Sequence, residues 1–241
     1  MAEKITGIIL SVTKHNDRNS IVTIYTRERG RLPFLTPVGT GRASNARRAR
    51  LQPLSVITTD LNYKEATELQ RLGSLSPLEV WNDLYFHPAK RAIALFLSEF
   101  LNRLLNATMA DVQLFDFLID SLRLLDTMEK GVADFHVSFL VSLLSLSGIQ
   151  PDISTYQAGY AFEFESGTFV SEAAAKPPAL YGEEAKNVVF VSRINFSNMK
   201  YLRLTGANRR QILYGLLNYY SYHFPGLGSL KSPEVLREIF E

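Results

Sequence analysis

The chain has 241 residues, 46% hydrophobic and 21% charged, enough for a sizeable core in one large or two small domains. It has no cysteine, which excludes disulfides, thiolate catalysis and zinc–thiolate sites. The formal net charge is only +2, but residues 1–60 hold ten Lys/Arg against four Asp/Glu, a local +6 that leaves −4 for the rest. The amino-terminal part is therefore the part that faces an anion.

The opening MAEKITGIIL has no cationic region ahead of a long apolar run, so no secretory signal is expected. No uncharged apolar stretch reaches the roughly 18 residues of a membrane helix. A cytoplasmic, nucleoid-associated protein without a membrane contact is the expectation.

Residues 4–15 read as a first strand carrying Ile5, Ile8, Leu10 and Val12, with Gly7 at a bulge. Residues 21–26 are β-branched and aromatic and form a second. Arg27-Glu28-Arg29-Gly30 turns the chain, with Gly30 free to take positive φ. Residues 31–38 are a third strand, and Pro33 and Pro37 place it at an edge or a bulge because neither can donate to a ladder. Gly39 and Gly41 open a loop bearing Arg42, Arg47, Arg48 and Arg50. Residues 54–61 and 68–75 complete five strands, the last broken at Gly73. Five short strands in this span suit an oligonucleotide-binding (OB) barrel.

Near Ser76-Pro77 the apolar period changes from two to about 3.6. Helices are expected over 88–106, then after a cap at Asp111, then over 135–147, apolar nearly all round and ended by Gly148. Residues 160–170 alternate as a small hairpin, and 195–202 suggest a short helix. Thr205 caps a helix over 206–223, and Ser232-Pro233-Glu234 starts the last one. The class is α+β. A five-stranded OB-fold barrel spans residues 1–77, and a mainly α-helical domain with a small β-hairpin insertion near 160–170 spans 78–241.

Gly39-Thr-Gly41-Arg-Ala-Ser44, with Asp60 about 20 residues on, approaches a dinucleotide fingerprint. The context rejects it: Pro53 breaks the following segment and no βαβ alternation appears. Glu163 and Glu165 are read as the solvent side of the hairpin, with Phe162 and Phe164 inward. The four histidines lack ligand spacing, and His136 reads as a hydrogen-bonded core residue. No GxSxG, HExxH or GxxxxGK[ST] occurs, so an enzyme has no support, and neither cofactor nor metal is expected.

The basic cluster carries chemistry. Lys14, Arg27, Arg29, Arg31, Arg42, Arg47, Arg48 and Arg50 are the candidate phosphate contacts. Tyr25 and Phe34 are either base-stacking platforms or ordinary barrel core. Arg209-Arg210 sits in the first turns of a helix, where a cation gains nothing from the dipole. An external anion or a neighbouring acid would each account for it.

The segments Gly7-Ile-Ile-Leu10, Ile24-Tyr-Thr-Arg27-Glu-Arg-Gly30, Gly39-Thr-Gly41-Arg42 and Leu51-Gln-Pro53-Leu54 resemble the RecO family of bacterial recombination mediators. So do Phe164-Glu-Ser-Gly-Thr-Phe169, Arg209-Arg-Gln-Ile-Leu213, Tyr219-Tyr-Ser-Tyr-His223 and Lys231-Ser-Pro-Glu-Val-Leu236, in the manner of its Bacteroidetes branch. The resemblance covers essentially the full length. It implies an OB barrel on a helical domain, binding of single- and double-stranded DNA, strand annealing, and a partnership with RecR. The pair would help load RecA onto DNA coated by single-strand-binding protein (SSB). It also implies capture of the acidic, apolar SSB C-terminal tail by the helical domain, and Arg209 and Arg210 are our candidates for its carboxylates. Some members hold zinc through four cysteines in the region matching residues 156–175; here the hairpin must hold by packing. The alternative reading is a protein adaptor whose basic face meets an acidic partner.

Overall fold

The computed structural model describes residues 3–39, 42–105, 109–201 and 204–240, and for 42–44 the backbone alone. The first strands are β1 (Glu3–Lys14), β2 (Asn19–Thr26) and β3 (Gly30–Pro37), joined as an antiparallel meander. Gly30 takes φ 69°, as its turn requires. The bulge in β1 falls between Ile9 and Ser11 rather than at Gly7. Pro33 lies in β3, which has only two residues paired on its far side.

Residues expected as a loop form the helix α1 (Arg42–Arg50) instead. Its RASNARRAR sequence combines strong helix formers with basic residues in the last turn, where the dipole favours them. The helix stops before Pro53, and Leu51 enters the barrel core.

β4 (Val56–Leu61) pairs with β1, and the expected fifth strand is split into β5 (Gln70–Arg71) and β6 (Leu75–Pro77). The order is β5-β3-β2-β1-β4-β6, antiparallel except for β3 with β5. Both edges of the curled sheet thus meet one segment, residues 70–77. Gly73 is where that segment crosses: a Cβ there would lie 2.5 Å from the Asp60 carbonyl oxygen. The interior holds Ile5, Ile9, Val22, Ile24, Phe34, Ile57 and Leu61. Each such side chain contributes about 1.5–3 kcal/mol by leaving water.

The helices follow: α2 (Pro88–Leu104), α3 (Val112–Thr127), α4 (Phe135–Leu146), α5 (Gly182–Val191), α6 (Gly206–His223) and α7 (Ser232–Phe240). The caps read from the sequence are in place, since Asp111 Oδ1 accepts from Leu114 N at 3.0 Å and Thr205 Oγ1 from Asn208 N at 3.2 Å. A three-stranded sheet, β7 (Tyr160–Glu163), β8 (Thr168–Ser171) and β9 (Ala179–Leu180), contains the expected hairpin. Residues 199–201 make a single tight helical turn. α5 has no counterpart in the expected elements.

By packing, one compact unit comprises Met1–Thr127 with Leu230–Leu236, and the other Met128–Ser229 with Arg237–Glu241. The change from strands to helices after Pro77 therefore falls inside the first unit, where Ser98 of α2 donates to the Leu10 carbonyl at 2.6 Å. Among the described residues, no helix is long and apolar enough to cross a membrane.

Candidate nucleic-acid interface

The candidate cations whose side chains are described do not form one cradle. Arg27 and Arg29 occupy the β2–β3 turn, beside the start of β1. Arg27 grips Asp116 of α3 through two hydrogen bonds of 3.2 Å, and this partner raises its pKa. Arg29 pairs with Glu3 and lies over the Tyr63 ring, 4.2 Å from its centroid. The Glu28 carboxylate accepts from Thr6 N at 3.0 Å, pinning the turn to β1. Both arginines here are neutralised by carboxylates of the same unit.

At the other end of β3, roughly 20 Å away by strand rise, the accounting differs. Arg47 of α1 donates to Thr36 Oγ1 at 2.9 Å and to the carbonyls of Leu72 and Gly73 at 3.0 and 3.2 Å. Arg50 donates to the Leu75 carbonyl at 2.8 Å. These two tie α1 to the crossing segment of the barrel. Burial presses the Arg47 guanidinium below its ordinary pKa, but arginine stays protonated at any working pH. Its acceptors and that of Arg50 are neutral oxygens, so the helix keeps its charge. Arg48 is exposed, and no ion pair engages it among the described residues. The Arg42 side chain lies outside the described residues.

Lys14 pairs with Asp17 at 2.7 Å, but both side chains are open to water, 71% and 94% exposed, so the pair is weak. Arg18, absent from the candidate phosphate contacts, is exposed in the same turn, and its carbonyl accepts from Val38 N at 2.7 Å. Arg31, the second residue of β3, is half-buried, with Nη2 3.5 Å from Asn102 Oδ1 of α2. Burial lowers its pKa, and its position under a helix removes it from an open phosphate seat.

Neither aromatic candidate is a stacking platform, because both are 0% exposed. Phe34 points into the barrel, and Tyr25 points the other way, 6.2 Å from Phe115 of α3. Burial first, then Asp111, pushes the Tyr25 phenol up to about 12.

In the second unit, Arg209 is already engaged. Its Nε meets Asp134 Oδ1 at 2.7 Å, with the two side chains 11% and 6% exposed, and its Nη2 donates to the Leu204 carbonyl at 3.1 Å. The neighbouring acid, not an external anion, accounts for this residue. Arg210 is exposed. It adjoins Gln211 and Ile212, which line an apolar groove of about 340 Å³ between α5, α6 and the small sheet. Glu163 also departs from expectation: it is nearly buried, and hydrogen bonds from Ser166 and then Lys176 N hold its carboxyl below the usual range. His136 is buried against Phe240, with ring centroids 6.1 Å apart, and burial, then Arg209, press its pKa to about 3.

The hairpin is fastened by rings. Phe162 lies 5.1 Å from Phe169 and 5.4 Å from Tyr219, while Tyr156 meets Phe169 edge-on at 5.1 Å.

Comparison with known proteins supplies a lineage. Residues 1–81 match the family described as Recombination protein O N terminal, and residues 87–234 match Recombination protein O C terminal. The chain is similar to the DNA repair protein RecO of Phocaeicola vulgatus, 33% identical over 240 residues that cover 100% of both chains. It is also similar to that of Bacteroides fragilis, 32% identical with 100% of both covered. The RecO protein of Porphyromonas gingivalis strain W83 is 33% identical, with 98% of each chain covered.

Proposed function

The chain belongs to the RecO family of DNA repair and recombination proteins, which are non-enzymatic mediators, and from that premise we propose that the α1 end of its barrel is the DNA seat. There it binds single and double strands, anneals complements and, with RecR, helps load RecA onto SSB-coated DNA. The observation that carries this reading is charge without counter-charge: Arg47, Arg48 and Arg50 lie on one helix and none meets a carboxylate among the described residues. Such a helix attracts a polyanion in a way that eight evenly paired cations would not. The bonds to phosphates position a strand without reading its sequence.

The test is fluorescence anisotropy with oligo-dT across a salt series. A seat made by Z cations gives a slope of log K against log salt near −0.7Z. A flat slope, or no binding at moderate salt beside tight binding of an acidic protein, would favour the adaptor reading instead.

The SSB tail is assigned to the groove of the second unit, with Arg210 at its margin and Arg209 in a supporting role. Leu144, Phe162, Phe164 and Val188 offer the apolar walls that such a tail needs. Gly215 lines the groove, and a side chain there would enter open space. Gly215→Trp should therefore block the tail peptide and leave oligo-dT affinity unchanged; undiminished tail binding would reject the groove.

A further inference from the structure

Beside α1 the barrel carries a pocket of about 150 Å³. Its lining is Val12, Pro37, Val38 and Leu51 together with Ser20, Thr36, Arg47 and Arg48. Val12 and Val38 are 41% and 40% exposed, leaving apolar surface uncovered where the helix concentrates unneutralised charge. The volume is about half the lower bound of a drug-sized site. A space of that size suits a single heterocycle rather than a base pair.

We propose, resting on the reading of α1 as the DNA seat, that this pocket receives one unstacked base of a single strand while Arg48 holds the adjoining phosphate. Three observations converge on a nucleotide of single-stranded nucleic acid. An apolar slot wants a hydrophobic face, and a single strand exposes its base faces whereas a duplex hides them in the stack. Ser20 and Thr36 in the lining bring hydroxyls that suit the polar edge of a heterocycle, and Thr36, whose oxygen accepts from Arg47, keeps its O–H to donate. A guanidinium in the lining suits the anion that always accompanies the base. The pocket thus adds a preference for unpaired strands to a helix whose charge alone binds single and double strands alike.

The experiment compares three probes of equal length and charge on the full chain: oligo-dT, a fully abasic oligonucleotide, and a duplex. The parent should prefer oligo-dT over the abasic strand by about fivefold, the worth of a modest apolar burial. Val12→Asn with Val38→Asn keeps the charge and should erase that preference, while abasic and duplex affinities stay within about twofold. Both positions are partly exposed, so the variant should fold, and Val38→Asn alone offers a milder version with about half the effect. Equal binding of dT and abasic strands by the parent overturns the pocket, as does a parallel loss on all three probes. Arg48→Glu separates the two readings: weakening on all probes upholds the seat, whereas no change on any probe rejects the seat itself.

Discussion

Both ends of the barrel carry arginines, and the ends differ in what those arginines face. At the β2–β3 turn, Asp116 and Glu3 take Arg27 and Arg29. On α1, Thr36 and the carbonyls of Leu72, Gly73 and Leu75 take Arg47 and Arg50. A carboxylate cancels a cation at long range, and a carbonyl dipole only orients it. The same residue type is therefore structural cement in one place and cement plus surplus charge in the other.

The comparison can be pressed from both sides. Arg47→Ala should have the largest effect, because it strips three hydrogen bonds that hold α1 to the barrel; urea unfolding should show about 2 kcal/mol of lost stability. Arg18→Glu with Arg48→Glu leaves those bonds intact and should weaken oligo-dT binding by about thirtyfold at low salt, with a shallower salt slope. Glu3→Gln with Asp116→Asn makes the turn resemble α1. Freed of its counter-ions, the turn should raise DNA affinity by about fivefold, and no gain would mean that neutralisation is not what silences it. Arg27→Ala should be the mildest, changing DNA affinity by less than about twofold and barely moving the urea midpoint. A large loss on that substitution would erase the contrast between the ends.

Acid provides a separate check on the buried chemistry. His136 is held neutral, with its folded pKa depressed to about 3 by burial and then Arg209. Its contribution to stability is whole above the unfolded value near 6.5 and declines as pH falls toward 3, by about 1.4 kcal/mol per unit. His136→Phe should flatten the unfolding free energy in that window, measured by urea titration at several pH values.

Much of the fold was legible because its signals are local. The strand alternation, the break at Gly73 and the caps at Asp111 and Thr205 each depend on a few consecutive residues. α1 was hidden by glycines before it and Pro53 after it, although its alanines and arginines favour a helix. Tyr25 shows a different limit: β2 is covered on both faces, so alternation cannot tell barrel interior from helix-facing exterior. The site was the least legible part. Asp116 lies 89 residues from Arg27, and Asp134 lies 75 from Arg209. No window along the chain reveals which cation has been cancelled, since that is decided by folding.

The rings around Phe162 have a practical corollary. A fastening made of Phe and Tyr offers nothing for a chelator to strip or an oxidant to bridge. EDTA or mild peroxide during purification should leave this hairpin's shape untouched.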